Sequence, residues 1–345
     1  MILSKYFRRA VCAGLTACAT ATAAAAFPGL PLAEDLLVAH GINRNQASII
    51  VQSLAGTRSI RILDKEGLEK IIRELRAESD RAKNNDDDIT ARQYKDMASI
   101  AVQVQARAKM GDPFLLPAVR DHLNFLQSLK PEHAAAAQAA CYINPPTAAD
   151  VRIMISSFTN IPPEYIESEI VTQKELFLFS ILHEMAHCHP GNIAAGDTRE
   201  ARADLKALEV MKQISTNPAF IRNLTLLRII TPNFTTHNTG PFIDAETRGA
   251  TPVTYDQILA LHTDLMRLHN EKIVQMDMST TKGKPFFLSA ARVFSAILKE
   301  PPKDLSPLTQ RYMELFVAAA KAIAPKAISL CLEGGASSAA NTPQP

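Results

Sequence analysis

A mainly α protein with a small β-sheet is the fold class this sequence predicts, on three observations. Proline outnumbers glycine 21 to 13, tryptophan is absent and alanine is abundant, which is the composition of helices joined by proline-marked connections. Apolar residues recur at three- and four-residue spacing through most of the chain, the period of amphipathic helices. In contrast, the segment 151–156 alternates Val151, Ile153 and Ile155 with Arg152, Met154 and Ser156, as a short half-buried strand does. With 345 residues and 47% hydrophobic content, the chain can bury a substantial core.

Taken in order, residues 1–26 read as an export signal. Lys5, Arg8 and Arg9 precede an uncharged Ala/Thr-rich run that ends in Ala24-Ala25-Ala26, a basic start, apolar middle and small-residue end. Two processing routes stay open. Cleavage near Ala26 gives a soluble exported protein, whereas Leu15-Thr16-Ala17-Cys18 has the form of a bacterial lipobox, in which Cys18 becomes the lipidated first residue. The expected location is therefore the periplasm, or a membrane-anchored lipoprotein in a bacterium. The formal charge is +2. Leaving out the three basic residues of the signal, 34 positive groups face 35 negative ones, or −1. So balanced a body offers no electrostatic reason for a nucleic-acid partner. Membrane association is expected through the N-terminus only.

Residues 27–145 read as a helical region. Asp64 caps a helix with apolar positions Leu68, Ile71, Ile72 and Leu75. The charged run from Lys83 to Asp88 interrupts it, and a second helix resumes around Ile89 to Met110. Asp86-Asp87-Asp88 lacks the alternating ligands and the glycine of a calcium loop and reads as a solvated turn. Further helices are expected from Pro113 to Leu129 and from Pro131 to the boundary at Asn144-Pro145-Pro146. After the strand at 151–156, helices are predicted at about 172–188, 198–214, 254–277, 285–299 and 305–325, and a disordered tail at 331–345. Outside the signal, Cys141, Cys188 and Cys331 leave any disulfide pairing open.

The chemistry lies in residues 172–204. Thr172 and Glu175 form a capping box, and the helix behind it is apolar on nearly every side from Leu176 to Cys188, as a helix buried within a protein is. Ser180, His183, Glu184 and His187 break that pattern at i, i+3, i+4 and i+7, making one polar stripe. Burying two imidazoles and a carboxylate is costly unless a partner satisfies them. Histidines at i and i+4 can both reach one tetrahedral zinc ion, with the intervening glutamate placed to move a proton. Histidines that donate to backbone carbonyls would give the same stripe. Pro190-Gly191 ends this helix, and Asp197 caps the next. There Glu200 and Asp204 stand one turn apart on the face that continues into Ala207, Leu208 and Met211, so both carboxylates point inward as a third ligand and an outer acid would.

His183-Glu184-Met185-Ala186-His187 followed by Glu200-Ala201-Arg202-Ala203-Asp204 resembles the gluzincin zinc metallopeptidases, most closely the Ste24/HtpX-like peptidases. The resemblance covers residues 172–204. It implies one Zn2+ bound by His183, His187 and Glu200, Glu184 as the base, and Asp204 accepting a hydrogen bond from a liganding histidine. It also implies a zincin-like core around 146–215, within a catalytic domain over 146–330, and a substrate-binding edge strand near 151–156. The chain departs from that family in having no predicted flanking transmembrane helices and in the early helix stop at Cys188-His189-Pro190.

The expected function is an exported zinc metalloendopeptidase that hydrolyses protein or peptide substrates with metal-activated water. The alternative is a non-catalytic zinc-binding envelope protein with a helical partner-binding region. His237, in the polar loop 234–240, and Tyr255 read first as solvated loop residues, and they are also the candidates for transition-state stabilisation. His262 and His269 read as surface or core-rim residues, and Cys188 and His189 point off the metal stripe.

Overall fold

The structure is a computed structural model that describes residues 31–56, 58–109, 140–143, 145, 150–167, 170–189, 198–215, 217–230, 238–268, 271 and 286–333. The export signal with Cys18, the helix expected at 113–129, the loop carrying His237, and His269 lie outside the described residues. The described chain is mostly helical. Its helices are α1 (Ala33–Ala39), α2 (Arg44–Ala55), α3 (Lys65–Asn84), α4 (Asp88–Lys109), α5 (Val151–Thr159), α6 (Gln173–His187), α7 (Thr198–Ile214), α8 (Phe220–Ile230), α9 (Gly240–Thr247), α10 (Tyr255–Leu268), α11 (Phe286–Lys299), α12 (Pro307–Ile323) and α13 (Pro325–Glu333).

The described residues include two four-residue strands, β1 (Ser59–Ile62) and β2 (Ala140–Ile143), paired in parallel with Ser59 opposite Ala140 and Ile62 opposite Ile143, and Leu32 adds an isolated antiparallel bridge to Arg61. Residues 140–143, expected as the end of an alanine-rich helix, are thus strand. The segment 151–156 is not: it lies in α5. Its alternation was coincidental, because Val151, Met154, Ile155 and Phe158 are the buried positions while Ile153 is 40% exposed. That spacing of three, four and seven is a helix face. Asp150 caps the start by accepting from the Arg152 amide, and Asn160 ends α5 in the left-handed region at φ 53°, a conformation asparagine adopts more readily than most residues.

α3 and α4 form a hairpin in which Leu68, Ile71, Ile72 and Leu75 meet Ala91, Tyr94, Met97, Ala98 and Ala101, all buried. Each large apolar side chain so covered stabilises the pair by roughly 1.5–3 kcal/mol relative to exposure. Asp64 caps α3 through the Gly67 amide. At the intervening turn Asp87 accepts from the Thr90 amide, so the acidic run is an exposed turn and helix cap.

The main core is continuous from Ala33 in α1 to Cys331 in α13, on both sides of the double proline. α6 lies at its centre: Leu176, Phe179, Ile181, Leu182, Met185 and Ala186 are fully buried. α11 and α12 fall close to the expected spans, α10 covers the start of the helix expected at 254–277, most of whose remainder lies outside the described residues, and α13, partly assigned to the tail, is an additional helix reaching Glu333. No single helix among the described residues is long and apolar enough to cross a membrane. α12 and the first residues of α13 meet that criterion only together, bent by 120°.

Candidate metal centre

α6 and α7 build the centre. The capping box at the start of α6 forms as its residues dictate: the Glu175 amide donates to Thr172 Oγ1 and the Thr172 amide to Glu175 Oε2. This fixes where the helix starts and therefore the direction in which His183 and His187 project about three and four turns later. Ser180, the first polar residue of the stripe, donates to the Leu176 carbonyl within the helix and takes no part in the centre. α7 packs on α6 with His183 bonded to Asp204 and His187 to Glu200. Partners that run in opposite senses along the two helices mean the pair is antiparallel.

Three ligand atoms converge. His183 Nε2 and His187 Nε2 are 3.1 Å apart, and Glu200 Oε2 lies 3.1 Å from His187 Nε2 and 3.2 Å from His183 Nε2. This near-equilateral triangle could hold a metal ion. Ligands about 2.0–2.1 Å from a tetrahedral zinc ion are about 3.3–3.4 Å apart, so the donors already stand near coordinating separation. With both imidazoles neutral at Nε2, the two facing nitrogens and the carboxylate oxygen present lone pairs to one point, and a cation placed there satisfies all three. On the far side of the ring, His187 Nδ1 is buried without a hydrogen-bond partner among the described residues.

Asp204, fully buried, orients His183 from behind. Its Oδ1 accepts from His183 Nδ1 at 2.6 Å and from an Arg228 amino group at 2.7 Å, and its Oδ2 accepts a short hydrogen bond from the Thr239 hydroxyl. With Nδ1 protonated, His183 must offer Nε2 as the ligand atom. Arg228 was not anticipated from the sequence. It is a single cation in the otherwise apolar inner face of α8, between Leu227 and Ile229, and that was the available signal. Its guanidinium lies 4.9 Å from the Phe158 ring and 5.4 Å from the Phe179 ring, held by α5 and α6. Thr239 is set by the start of α9, where Gly240 approaches α8 so closely that a Cβ would lie 2.5 Å from Ile229 Cγ1.

Against known proteins, the chain matches no family model, no curated protein and no solved structure.

In the metal-free protein the charges are strongly coupled. Burial works against a charge on His183, but the Asp204 carboxylate and the hydrogen bonds of Asp204 and Glu200 outweigh it and hold the imidazole up at about 10. Burial likewise opposes ionisation of Glu200, and its bonds to His183 and His187 hold it well below the ordinary carboxylate range. For Asp204 burial is again outweighed, here by the Arg228 and His183 charges, which keep it at about 2. Glu184 is half-buried on α6, near enough that its charge also favours a proton on His183.

The helix end is tied down from another direction. Cys188, one residue beyond His187, forms a disulfide with Cys141 of β2, and Arg58, just before β1, donates to the Cys188 carbonyl at 3.3 Å. The paired strands thus grip the end of α6 covalently and by a hydrogen bond. Cys331 is a free, buried thiol. His189 is half-buried, and burial with the nearby Lys206 and Arg58 charges lowers its pKa. Tyr255 is 44% exposed at the start of α10, and His262 is half-buried further along that helix.

Proposed function

We propose that this protein is an exported zinc-dependent metallopeptidase with a zincin-like, gluzincin-type centre, in which His183, His187 and Glu200 hold the ion. The observation that carries the reading is the triangle of donor atoms 3.1–3.2 Å apart, backed by a carboxylate that fixes the tautomer of His183. Two imidazoles and one carboxylate are a catalytic rather than a closed structural set, since three protein ligands leave a fourth position open. Zinc in such a set supplies Lewis acidity, lowering the pKa of water and polarising a carbonyl.

The chain's own residues provide the remaining chemistry. Glu184 follows the first histidine on the same helix and is not a member of the triangle, so its carboxylate serves as general base. It takes the proton from the attacking water and delivers it to the leaving amine nitrogen. Asp204 keeps Nδ1 of His183 as a donor throughout. The surrounding apolar wall of α6, with Phe179 and Leu182 fully buried, lowers the local dielectric and strengthens these charge interactions. Residues 1–26, read as an export signal, support a site of action outside the cytoplasm, in the periplasm or at a membrane through a lipidated Cys18.

The test is zinc quantification on purified wild type beside His187→Ala, followed by a peptide-library cleavage profile. One zinc per chain, lost in the variant, together with cleavage abolished by a chelator, is the expected result. Zinc without hydrolysis of any library peptide would favour a non-catalytic zinc-binding protein. Absence of zinc from the wild type after metal supplementation would reject the centre itself.

A further inference from the structure

We infer that Arg228 is a positioning residue of the metal centre, holding Asp204 so that His183 presents Nε2 in the ligand triangle before any ion arrives. The inference rests on the metal-binding part of the proposed function and is independent of peptide hydrolysis.

Arg228 is 1% exposed and Asp204 fully buried. A buried guanidinium is costly unless its charge is answered. Here it is answered by Asp204 Oδ1 at 2.7 Å and by two aromatic faces at 4.9 and 5.4 Å, an arrangement that attracts a cation electrostatically. The oxygen that accepts from Arg228 is the one that accepts from His183 Nδ1. Any shift of the guanidinium therefore moves the acceptor that orients the ligand. Thr239 holds the other oxygen, so the carboxylate is fixed at both ends by residues from two further helical segments, neither of which contributes a ligand. Phe158 and Phe179, which clamp the guanidinium, come from α5 and from α6 itself. The position of His183 is thereby linked to α5, α7, α8 and the start of α9 as well as to its own helix.

The experiment measures zinc affinity by competition with a chelator of known strength, and thermal stability of the metal-free protein, for the full mature chain and four variants. Arg228→Met is expected to weaken zinc binding at least tenfold, within the range found when outer partners of a metal ligand are removed. Arg228→Lys, which keeps a cation for Asp204 but loses the planar stacking on the two rings, is expected to bind zinc more tightly than Arg228→Met and less tightly than wild type. Thr239→Val, nearly isosteric and at the opposite end of the carboxylate, is expected to weaken binding in the same sense and guards against an Arg228→Met protein that fails to fold. Leu288→Ala in α11, away from the centre, is expected to lower the melting temperature and leave zinc affinity unchanged. The inference is overturned if Arg228→Met and Thr239→Val bind zinc as tightly as wild type, or if affinity falls with melting temperature equally in Leu288→Ala. A wild type that takes up no zinc would overturn it together with the proposed function.

Discussion

Zinc affinity should rise steeply with pH well above the range in which an ordinary histidine titrates. In the metal-free protein His183 is held at about 10, so across pH 7–8.5 it carries a proton on the nitrogen that a metal must use. Binding displaces that proton, and each displaced proton makes affinity rise tenfold per pH unit. Over 1.5 units this amounts to about 30-fold, or about 2 kcal/mol. A histidine at its ordinary 6.5 would be nearly deprotonated by pH 7.5 and give almost no slope. The assay is chelator competition in a pH series, corrected for protonation of the chelator, with calorimetric proton release in buffers of different ionisation enthalpy as the check. Asp204→Asn removes the charge that holds the proton and leaves only a neutral acceptor, so the slope should flatten in that variant. A wild-type affinity that stays level from pH 7 to 8.5, or an unchanged slope in Asp204→Asn, would refute the coupling. The same groups fix the stability profile without metal. His183, raised above 6.5, stabilises fully below that pH and loses its contribution as pH rises through about 10. Asp204, lowered from 3.8, stabilises above that pH and loses its contribution as pH falls through about 2. By these two groups the metal-free protein is most stable between about pH 4 and 6.5, and saturating zinc should move the optimum upward.

Glu184→Gln should retain stoichiometric zinc while peptide cleavage falls by about 10²–10⁴, the usual contribution of a positioned base; residual turnover near wild type rejects the assigned role. Replacing both Cys141 and Cys188 with alanine opens a cross-link spanning 47 residues, for which chain entropy gives a loss of about 4 kcal/mol. Denaturant unfolding measures it, and a loss under about 1 kcal/mol would mean the bridge does not constrain the unfolded chain as that account requires. Gly240→Ala places a carbon 2.6 Å from the Ile229 backbone nitrogen, which must push α9 away from α8 at a cost of about 1–3 kcal/mol. Melting temperature and zinc affinity should both fall, because Thr239 moves with Gly240.

The ligand triangle was legible because the signal is local. A polar stripe at i, i+3, i+4 and i+7 on an otherwise apolar helix, with inward carboxylates on the next, needs only helix geometry to bring His183, His187, Glu200 and Asp204 together. The capping box at Thr172 and the cap at Asp64 were legible for the same reason. What depends on distant segments was not. Pairing of Cys141 with Cys188 requires β2 to lie beside the end of α6, and three body cysteines allow three pairings. Arg228 and Thr239 reach Asp204 from 24 and 35 residues further along the chain. The misreading of 151–156 has a different cause. Three apolar residues at period two also fit a helix once Met154 and Phe158 are included, and the caps at Asp150 and Asn160, one on each side, favour the helix.

The charges around His183, His187 and Glu200, which could hold a metal ion, balance one another closely. Glu200 and Asp204 are both ionised in the interior; Arg228 offsets Asp204, while Arg199, half exposed to solvent, approaches Glu200 only to 3.8 Å. A further positive charge close to the two histidine rings completes the balance, since a poorly compensated buried carboxylate is destabilising. In the metal-free protein the proton on His183 supplies it. In the proposed holoenzyme the metal replaces that proton at the same nitrogen, and the imidazole continues to donate through Nδ1 to Asp204. Proton and metal thus occupy one electrostatic position, so the donors stay converged in either state and need little rearrangement when the ion binds. This predicts that the metal-free protein is folded with its helices in place, and that far-ultraviolet circular dichroism changes by no more than a few per cent on zinc addition. A large gain in helicity would mean instead that α6 and α7 are organised by the metal, as in small domains whose folding and metal binding are a single event.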